Sequence, residues 1–204
     1  MNESNTVFIV DDDDDVRDAL KLLLESVGLK TKVYASAEAY LAGFDSNHAG
    51  CLILDIRMRG MSGLSLQKIL IKKPLSPPII IITGHGDVPM AVNAMKNGAS
   101  DFHEKPFNEQ ELLESIYRAL ESDAKQRGIA FQHAEIIAKI KRLTPRERQV
   151  LNLIVQGKRN KIMAHELCVT QSTIEAHRSK VMEKMEARSL SDLMQMMFSI
   201  RHFE

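Results

Sequence analysis

Cys51-Leu52-Ile53-Leu54-Asp55 is the stretch that decides the fold. Four apolar residues run into a carboxylate, and Ile56-Arg57-Met58-Arg59-Gly60 then breaks the pattern. A short continuous apolar run bounded by a turn reads as a fully buried strand in a parallel sheet. Ligands of such sheets sit just beyond the carboxyl ends of the strands. Asp55 therefore stands where chemistry is usually found. The plainer alternative is a turn or N-cap aspartate, a common use of the residue. It weakens as the other strand ends are read.

Toward the N-terminus, Val7-Phe8-Ile9-Val10 is an apolar strand running into five aspartates, Asp11 to Asp15. Adjacent like charges repel, and are tolerable where some bind a cation and others start a helix. Asp13 or Asp14 can cap a helix to about Val27, its carboxylates favoured by the positive helix end. Val16, Leu20, Leu23, Leu24 and Val27 keep the helical period, and Gly28 stops it. A weak strand follows near Thr31–Tyr34, then a helix capped by Ser36. Beyond the Asp55 strand, a third helix spans about Leu64–Ile71.

Pro77-Pro78 marks a turn before Ile79-Ile80-Ile81-Ile82, a buried strand ending in Thr83. Gly84-His85-Gly86-Asp87 reads as a loop, and a fourth helix covers about Val88–Asn97. A short strand near Ser100–His103 leads into Glu104-Lys105-Pro106-Phe107, and Asn108 with Glu111 resembles a capping box for a fifth helix. Five strand–helix alternations predict an α/β doubly wound, five-stranded parallel sheet with helices on both faces. Its strand ends carry Asp11 and Asp12, Asp55, Thr83 and Lys105, gathered at one edge.

Clustered carboxylates do not stay ionised together without a cation. Oxygen ligands without a nearby His or Cys pair favour Mg²⁺ or Mn²⁺. A carboxylate can act as nucleophile toward phosphorus, giving an aspartyl phosphate, and Thr83 and Lys105 can bind phosphate oxygens. Singly, Thr83 reads as a strand-end cap and Lys105 as a surface ion pair. Their joint position at successive strand ends points to one site.

The chain has 204 residues, 44% hydrophobic and 26% charged, which fits a soluble globular protein of one large domain or two small ones. No apolar run approaches the ~20 residues that span a bilayer, and Met1 to Thr6 lacks the apolar core of a signal peptide. Cys51 and Cys168 fall in different predicted domains and read as buried small apolar residues. These features predict a cytoplasmic protein with no membrane partner. The zero net charge hides an asymmetry. Residues 1–140 carry 15 Lys/Arg and 20 Asp/Glu, and residues 141–204 carry 12 and 7. An acidic front and a basic back predict two modules, the second with a polyanionic partner.

Residues 5–121 resemble a response-regulator receiver domain. The resemblance rests on Val10-Asp11-Asp12, Leu54-Asp55-Ile56-Arg57-Met58, Ile82-Thr83-Gly84-His85-Gly86-Asp87 and Glu104-Lys105-Pro106-Phe107. Residues 84–92 are similar to the FixJ subfamily. The resemblance implies that Asp55 accepts phosphate from a sensor histidine kinase. It implies an acidic metal pocket formed by Asp11 and Asp12, with Asp12 and Asp55 as direct ligands and the Arg57 main-chain carbonyl as a third. Thr83 would move toward the phosphate, Lys105 would pair with it, and Phe102 would be the switch aromatic, core packing being the equal alternative. The resemblance also implies dimerisation on phosphorylation, through a face near Val88, Val92, Met95 and Lys96. One departure is Met58-Arg59-Gly60, where the family usually has Met-Pro-Gly. Arginine cannot pre-set the backbone angle that proline fixes, and it adds a cation near the site. The expected consequences fall on kinase docking or phosphate lifetime, the chemical set being intact.

Residues 122–142 are polar and helix-friendly, with a patchy stripe of Ile129, Ile136, Ile137 and Ile140, and read as a helical linker after a 1–121 domain. Thr144, Pro145 and Glu147 make a strong helix start. A second helix over about Asn160–Leu167, a short Cys168-Val169-Thr170 turn, a third helix to about Met185 and a fourth from about Leu190 follow. Two helices joined by a three-residue turn in a small basic unit, residues 143–204, read as a helix-turn-helix. The alternative is a small helical dimerisation bundle. Leu143 to Leu151, Gly157 to Ile162 and Thr173 to Arg178 resemble the LuxR/NarL-type DNA-binding domain. That resemblance implies an all-α four-helix unit that places Glu175, Ala176 and Ser179 toward base edges. Arg178, Lys180, Lys161 and the helix start Thr170, Gln171, Ser172 and Thr173 would hold phosphates. His177 is either a phosphate contact or a packed ring. Leu190, Leu193, Met194 and Met197 share one face of the last helix, either a dimer face or core.

The reading is therefore a transcriptional regulator and not an enzyme. Its expected partners are a sensor kinase, double-stranded promoter DNA, RNA polymerase and a second copy of itself. Two alternatives stay open. Asp11-x-Asp13 after a strand also fits the nucleophile motif of haloacid-dehalogenase-type phosphatases, though the later acidic metal pair that chemistry needs is not obvious after Lys105. DNA binding could also be independent of phosphate.

Overall fold

The computed structural model describes residues 6–84, Gly86 and residues 88–201, and the chain divides after Gly128 into two compact units. His85 and Asp87 of the expected loop, and Met1 to Asn5 of the leader reading, lie outside the described residues.

The first unit is built on β1 (Thr6–Val10), β2 (Lys30–Tyr34), β3 (Gly50–Asp55), β4 (Ile79–Thr83) and β5 (Asp101–Glu104). All neighbours pair in parallel, in the order β2-β1-β3-β4-β5. The expected parallel sheet is what the sequence folds into. Because strand side chains alternate faces, β1, β3 and β4 feed two cores. Phe8, Val10, Leu52, Leu54, Ile79 and Ile81 pack under α2 (Ala37–Ala42), α3 (Gly63–Leu70) and α4 (Val88–Lys96). Val7, Ile9, Cys51, Ile53, Ile80 and Ile82 pack under α1 (Asp14–Ser26) and α5 (Glu109–Lys141). A buried Ile or Leu contributes about 1.5–3 kcal/mol, so a central strand buried on both faces carries the continuous apolar run seen before Asp55 and Thr83. Cys51 is buried as expected; Cys168 is exposed instead, because its turn leaves the side chain outside the second core.

The caps follow the sequence closely. Asp13 accepts from the Asp15 and Val16 amides at the start of α1, Ser36 from Ala39, and Asn108 from Gln110 and Glu111. Helix α5 is long, and its two ends belong to different units. Asp123 is buried in the first unit, where Oδ2 accepts from the Gly50 amide at 2.8 Å and from Arg127 Nε at 2.7 Å. Arg127 also donates to the carbonyls of Ser46, His48 and Leu75. Beyond Gly128, Ile136 and Ile140 pack on the second core and Lys139 pairs with Glu186 at 2.9 Å. Segment 122–142 is thus helical but not detached. Its early residues are anchored by a buried carboxylate that composition alone reads as solvated.

The second unit adds α6 (Pro145–Val155), α7 (Asn160–Glu166), α8 (Gln171–Met185) and α9 (Leu190–Arg201). Thr144 and Glu147 make the full capping box. Ile174, Val181 and Met185 of α8 are buried against α6 and α7, which leaves the opposite face of α8 outward. Leu193 and Met197 are core residues of this unit, with 0% and 9% exposure, so of the two readings of that face these positions take the core one, while Leu190 is exposed and Met194 half-buried. Their spacing was right for a buried stripe, and this stripe faces inward. The exposed large apolar residues of α9 are Leu190 and Phe198.

Candidate functional site

Each side chain of the first site is delivered by the end of a strand. Asp11 and Asp12 follow β1, Asp55 closes β3, Thr83 closes β4, and Lys105 follows β5. Asp11, Asp55 and Thr83 are all at least 96% buried. Carboxylate oxygens of Asp11, Asp12 and Asp55 lie within 4.8 Å of one another. Lys105 Nζ donates to Asp11 Oδ2 at 2.6 Å and to Asp55 Oδ1 at 3.1 Å. The structure thus brings together the residues that the strand ends predicted.

Electrostatics at this edge are finely opposed. Burial pushes the Asp55 carboxyl above its ordinary range, Lys105 pulls it down, and Asp11 pushes it up again. Burial draws the Lys105 ammonium down, but pairing with Asp11 and Asp55 outweighs it and the net shift is upward. The Arg59 main-chain N–H, 3.1 Å from Asp12 Oδ2, is the main reason the Asp12 carboxyl lies below its usual value. Three carboxylates therefore share two cations of the chain itself, Lys105 and Arg59. That set of hard oxygens with incomplete charge compensation fits a small divalent cation.

Two supports of the site were not read from the sequence. A Cβ on Gly63 would stand 2.1 Å from the Asp55 carbonyl oxygen, and the Gly63 amide donates to Ile56 at 3.0 Å. Only a glycine lets the start of α3 close on the Asp55 turn. Glu38 Oε1 accepts from the Met61 amide at 2.9 Å, holding the far side of that turn. Neither residue carries chemistry, so no motif announces it. A glycine at Ser-Gly, or a glutamate on a short helix, is too common to single out. Phe102 packs at the rim of the core, and a Cβ on Gly86 would meet its ring at 3.1 Å and the Thr83 methyl at 3.4 Å. Thr83, Gly86 and Phe102 are therefore in mutual reach. The Arg57 main chain lies close enough to draw the Asp55 carboxyl down slightly, against the larger effect of burial. Val88, Val92, Met95 and Lys96 form an exposed stripe on α4.

On α8 of the second unit, Gln171, Ser172, Glu175, Ala176, Ser179 and Lys180 are exposed, and Thr173, His177 and Arg178 are half-buried. Thr170 caps the helix by accepting from the Thr173 amide at 3.2 Å, and Lys161 is exposed on α7. Helices α7 and α8 are joined by a short turn, and α8 presents a polar face outward.

The receiver-domain family of response regulators matches residues 7–117, and the luxR family of bacterial regulatory proteins matches residues 141–197. The chain belongs to the response regulators. The regulator is 45% identical to the response regulator protein TmoT of Ectopseudomonas mendocina over 95% of its own length and 88% of the relative's. It is 43% identical to the transcriptional regulatory protein FixJ of Azorhizobium caulinodans, over 96% and 93% of the two chains. Among solved structures it is similar to the response regulator StyR, with a TM-score of 0.87 and 41% identity over 96% and 98% of the chains. It is a two-component transcriptional regulator of the FixJ type, with a receiver domain followed by a LuxR-type helix-turn-helix domain. No helix of its described residues is long and apolar enough to cross a membrane.

Proposed function

We propose that Asp55 of this regulator accepts a phosphoryl group from a sensor histidine kinase, and that the acyl phosphate promotes dimerisation and binding to promoter DNA. The observation that carries the reading is the buried Asp11–Lys105–Asp55 arrangement, with Thr83 at the adjacent strand end. Asp55 Oδ attacks phosphorus, the P–N bond of a phosphohistidine breaks, and the imidazole leaves with the electron pair. Asp11, Asp12, Asp55 and the Arg57 carbonyl would hold Mg²⁺ or Mn²⁺, which supplies charge neutralisation of the phosphoryl oxygens. Lys105 offers the charged hydrogen bond to a phosphoryl oxygen. Thr83 turns toward another, and Phe102 follows into the space it leaves.

A groove of 260 Å³ lined by Val16, Leu20, Leu23, Pro106 and Phe107 opens beside Lys105 and is where we place the kinase. The α4 stripe of Val88, Val92, Met95 and Lys96 is the receiver's dimer face. Dimerisation raises affinity for paired half-sites through effective concentration. Segment 122–142 connects the 1–121 and 143–204 domains as a helical linker. Contact with RNA polymerase, a cytoplasmic location and the absence of enzymatic turnover complete the reading.

The test is intact mass, sedimentation and DNA affinity of the full chain, before and after incubation with acetyl phosphate and Mg²⁺. One added phosphoryl group should accompany a shift from monomer to dimer and tighter DNA binding. A phosphorylated chain that stays monomeric and binds DNA as before would support regulation independent of phosphate. Turnover of a small phosphate ester, lost in Asp11→Asn but kept in Asp55→Asn, would support the hydrolase reading instead.

Two further outcomes are expected. Gly63→Ala forces the Asp55 turn to move, and a misplacement of about 1 Å can cost ~100-fold. Its rate of phosphoryl uptake, followed by mass, should fall by about 10- to 100-fold. On α8, Arg178→Ala and Lys180→Ala should each weaken binding equally for target and random duplexes and lower the salt slope by about one. Glu175→Ala should change sequence preference, by about 1–3 kcal/mol at one base pair, and leave the slope alone. A competition assay across salt concentrations separates the two behaviours.

A further inference from the structure

We propose that Arg59 is a built-in competitor of the divalent cation at Asp12, so that this one residue sets how readily the acidic pocket loads. The inference rests on reading Asp11, Asp12 and Asp55 as the cation pocket. Arg59 approaches Asp12 Oδ2 twice, through its main-chain N–H at 3.1 Å and its Nε at 3.3 Å. The side chain is 92% exposed, so burial does not account for its placement against Asp12. A carboxylate engaged by two donors on one oxygen has fewer lone pairs to offer. A guanidinium beside it lowers the charge a cation sees, whichever oxygen the cation takes.

The two donors are held differently. The main-chain N–H is aimed by the turn, which is fixed on its far side by the Met61–Glu38 hydrogen bond and passes through Gly60 at φ +81°. The guanidinium is a solvent-facing ion pair, weak and screened by salt. A proline at position 59 would have neither N–H nor charge. Lys105 does not substitute for Arg59, because it is committed to Asp11 and Asp55. Loading the pocket therefore means releasing Arg59, and the Asp55 turn then remains held by the Met61–Glu38 and Gly63–Ile56 hydrogen bonds.

The test is calorimetric titration of the full chain with MgCl₂, comparing wild type with Arg59→Ala, Arg59→Pro and Asp12→Ala. Arg59→Ala removes the weak ion pair and should tighten Kd by about threefold at low salt. Arg59→Pro also removes a charge-assisted hydrogen bond and should tighten it by about tenfold. The Arg59→Ala gain should shrink in 1 M KCl, whereas the additional gain of Arg59→Pro should persist. Asp12→Ala should lose binding. If Asp12→Ala binds Mg²⁺ as wild type does, the pocket reading itself fails. If Asp12→Ala loses binding while Arg59→Ala and Arg59→Pro bind unchanged or more weakly, the pocket stands and the competitor role of Arg59 is overturned. Arg59→Ala keeps the main chain intact, so a misfolded Arg59→Pro leaves the test decisive.

Discussion

Asp55→Asn is expected to take up no phosphoryl group from acetyl phosphate and Mg²⁺, yet to unfold at no lower temperature than the wild-type chain. An amide is not a nucleophile toward phosphorus at neutral pH, so the covalent step is removed rather than slowed. The substitution keeps the side chain's volume and leaves an oxygen to accept from Lys105, which stays paired with Asp11 at 2.6 Å. Its effect on stability follows from the direction of the Asp55 shift. Burial raises the carboxyl above its ordinary range, so at neutral pH the ionised group is a cost to the fold. Asparagine removes that cost. The advantage of the variant should exist above the unfolded carboxyl value of about 3.9 and vanish below it, where both chains carry a neutral group. Intact mass and thermal unfolding between about pH 3.5 and 7 check both halves. A variant that still gained one phosphoryl group would remove Asp55 from the centre of the site, and a large loss of stability would mean that Asp55 holds the fold rather than serving it.

The burial of a carboxylate at a strand end is what made this edge of the sheet legible in sequence. A buried carboxylate at a strand end is a poor structural choice, and the apolar run before Asp55 made its burial plain. The same reasoning placed Thr83 and Lys105, because the pattern of five strands fixes which ends meet. It also placed Ile174, Val181 and Met185 in the core of the second unit, where a helical period and one capping threonine suffice. The unread parts depend on contacts between residues distant in sequence. Asp123 and Arg127 look like solvent-facing helix charges, and only the folded chain brings the Gly50 amide and the Ser46, His48 and Leu75 carbonyls to them. Gly63 gives no periodic signal, because its role is a close approach to one carbonyl oxygen. Leu193 and Met197 were ambiguous for another reason. An apolar stripe on a terminal helix has the same spacing whether it meets its own core or a second copy.

Glu147→Ala should destabilise the DNA-binding unit by about 3 kcal/mol, the summed cost of one orphaned backbone N–H and one lost charge-assisted hydrogen bond. The sequence shows Glu147 only as half of a capping box with Thr144. In the fold its Oε2 accepts both the Thr144 amide at 2.8 Å and Lys184 Nζ at 2.7 Å, joining the start of α6 to the end of α8. Alanine leaves one N–H and one ammonium without their acceptor and loosens the two helices that set the outward face of α8. For a unit of this size, 3 kcal/mol corresponds to a Tm lower by about 12–24 °C. The pH dependence has a definite sign. The hydrogen bond from Lys184, then that from the Thr144 amide, hold the Glu147 carboxyl at about 2, well below its ordinary value. A carboxyl depressed in the fold contributes stability that is complete above the unfolded value of about 4.3. That contribution drains away as pH falls toward 2. The gap between wild type and Glu147→Ala should therefore be constant from about pH 7 to 5 and close steadily below. Hydrogen exchange of α6 and α8 amides in the full chain reads it without requiring both units to unfold together. Lys184→Met keeps the capping bond and should cost less than Glu147→Ala. Equal costs would mean that the ion pair alone joins α6 to α8, and a gap that persists at pH 2 would mean that the carboxylate charge plays no part.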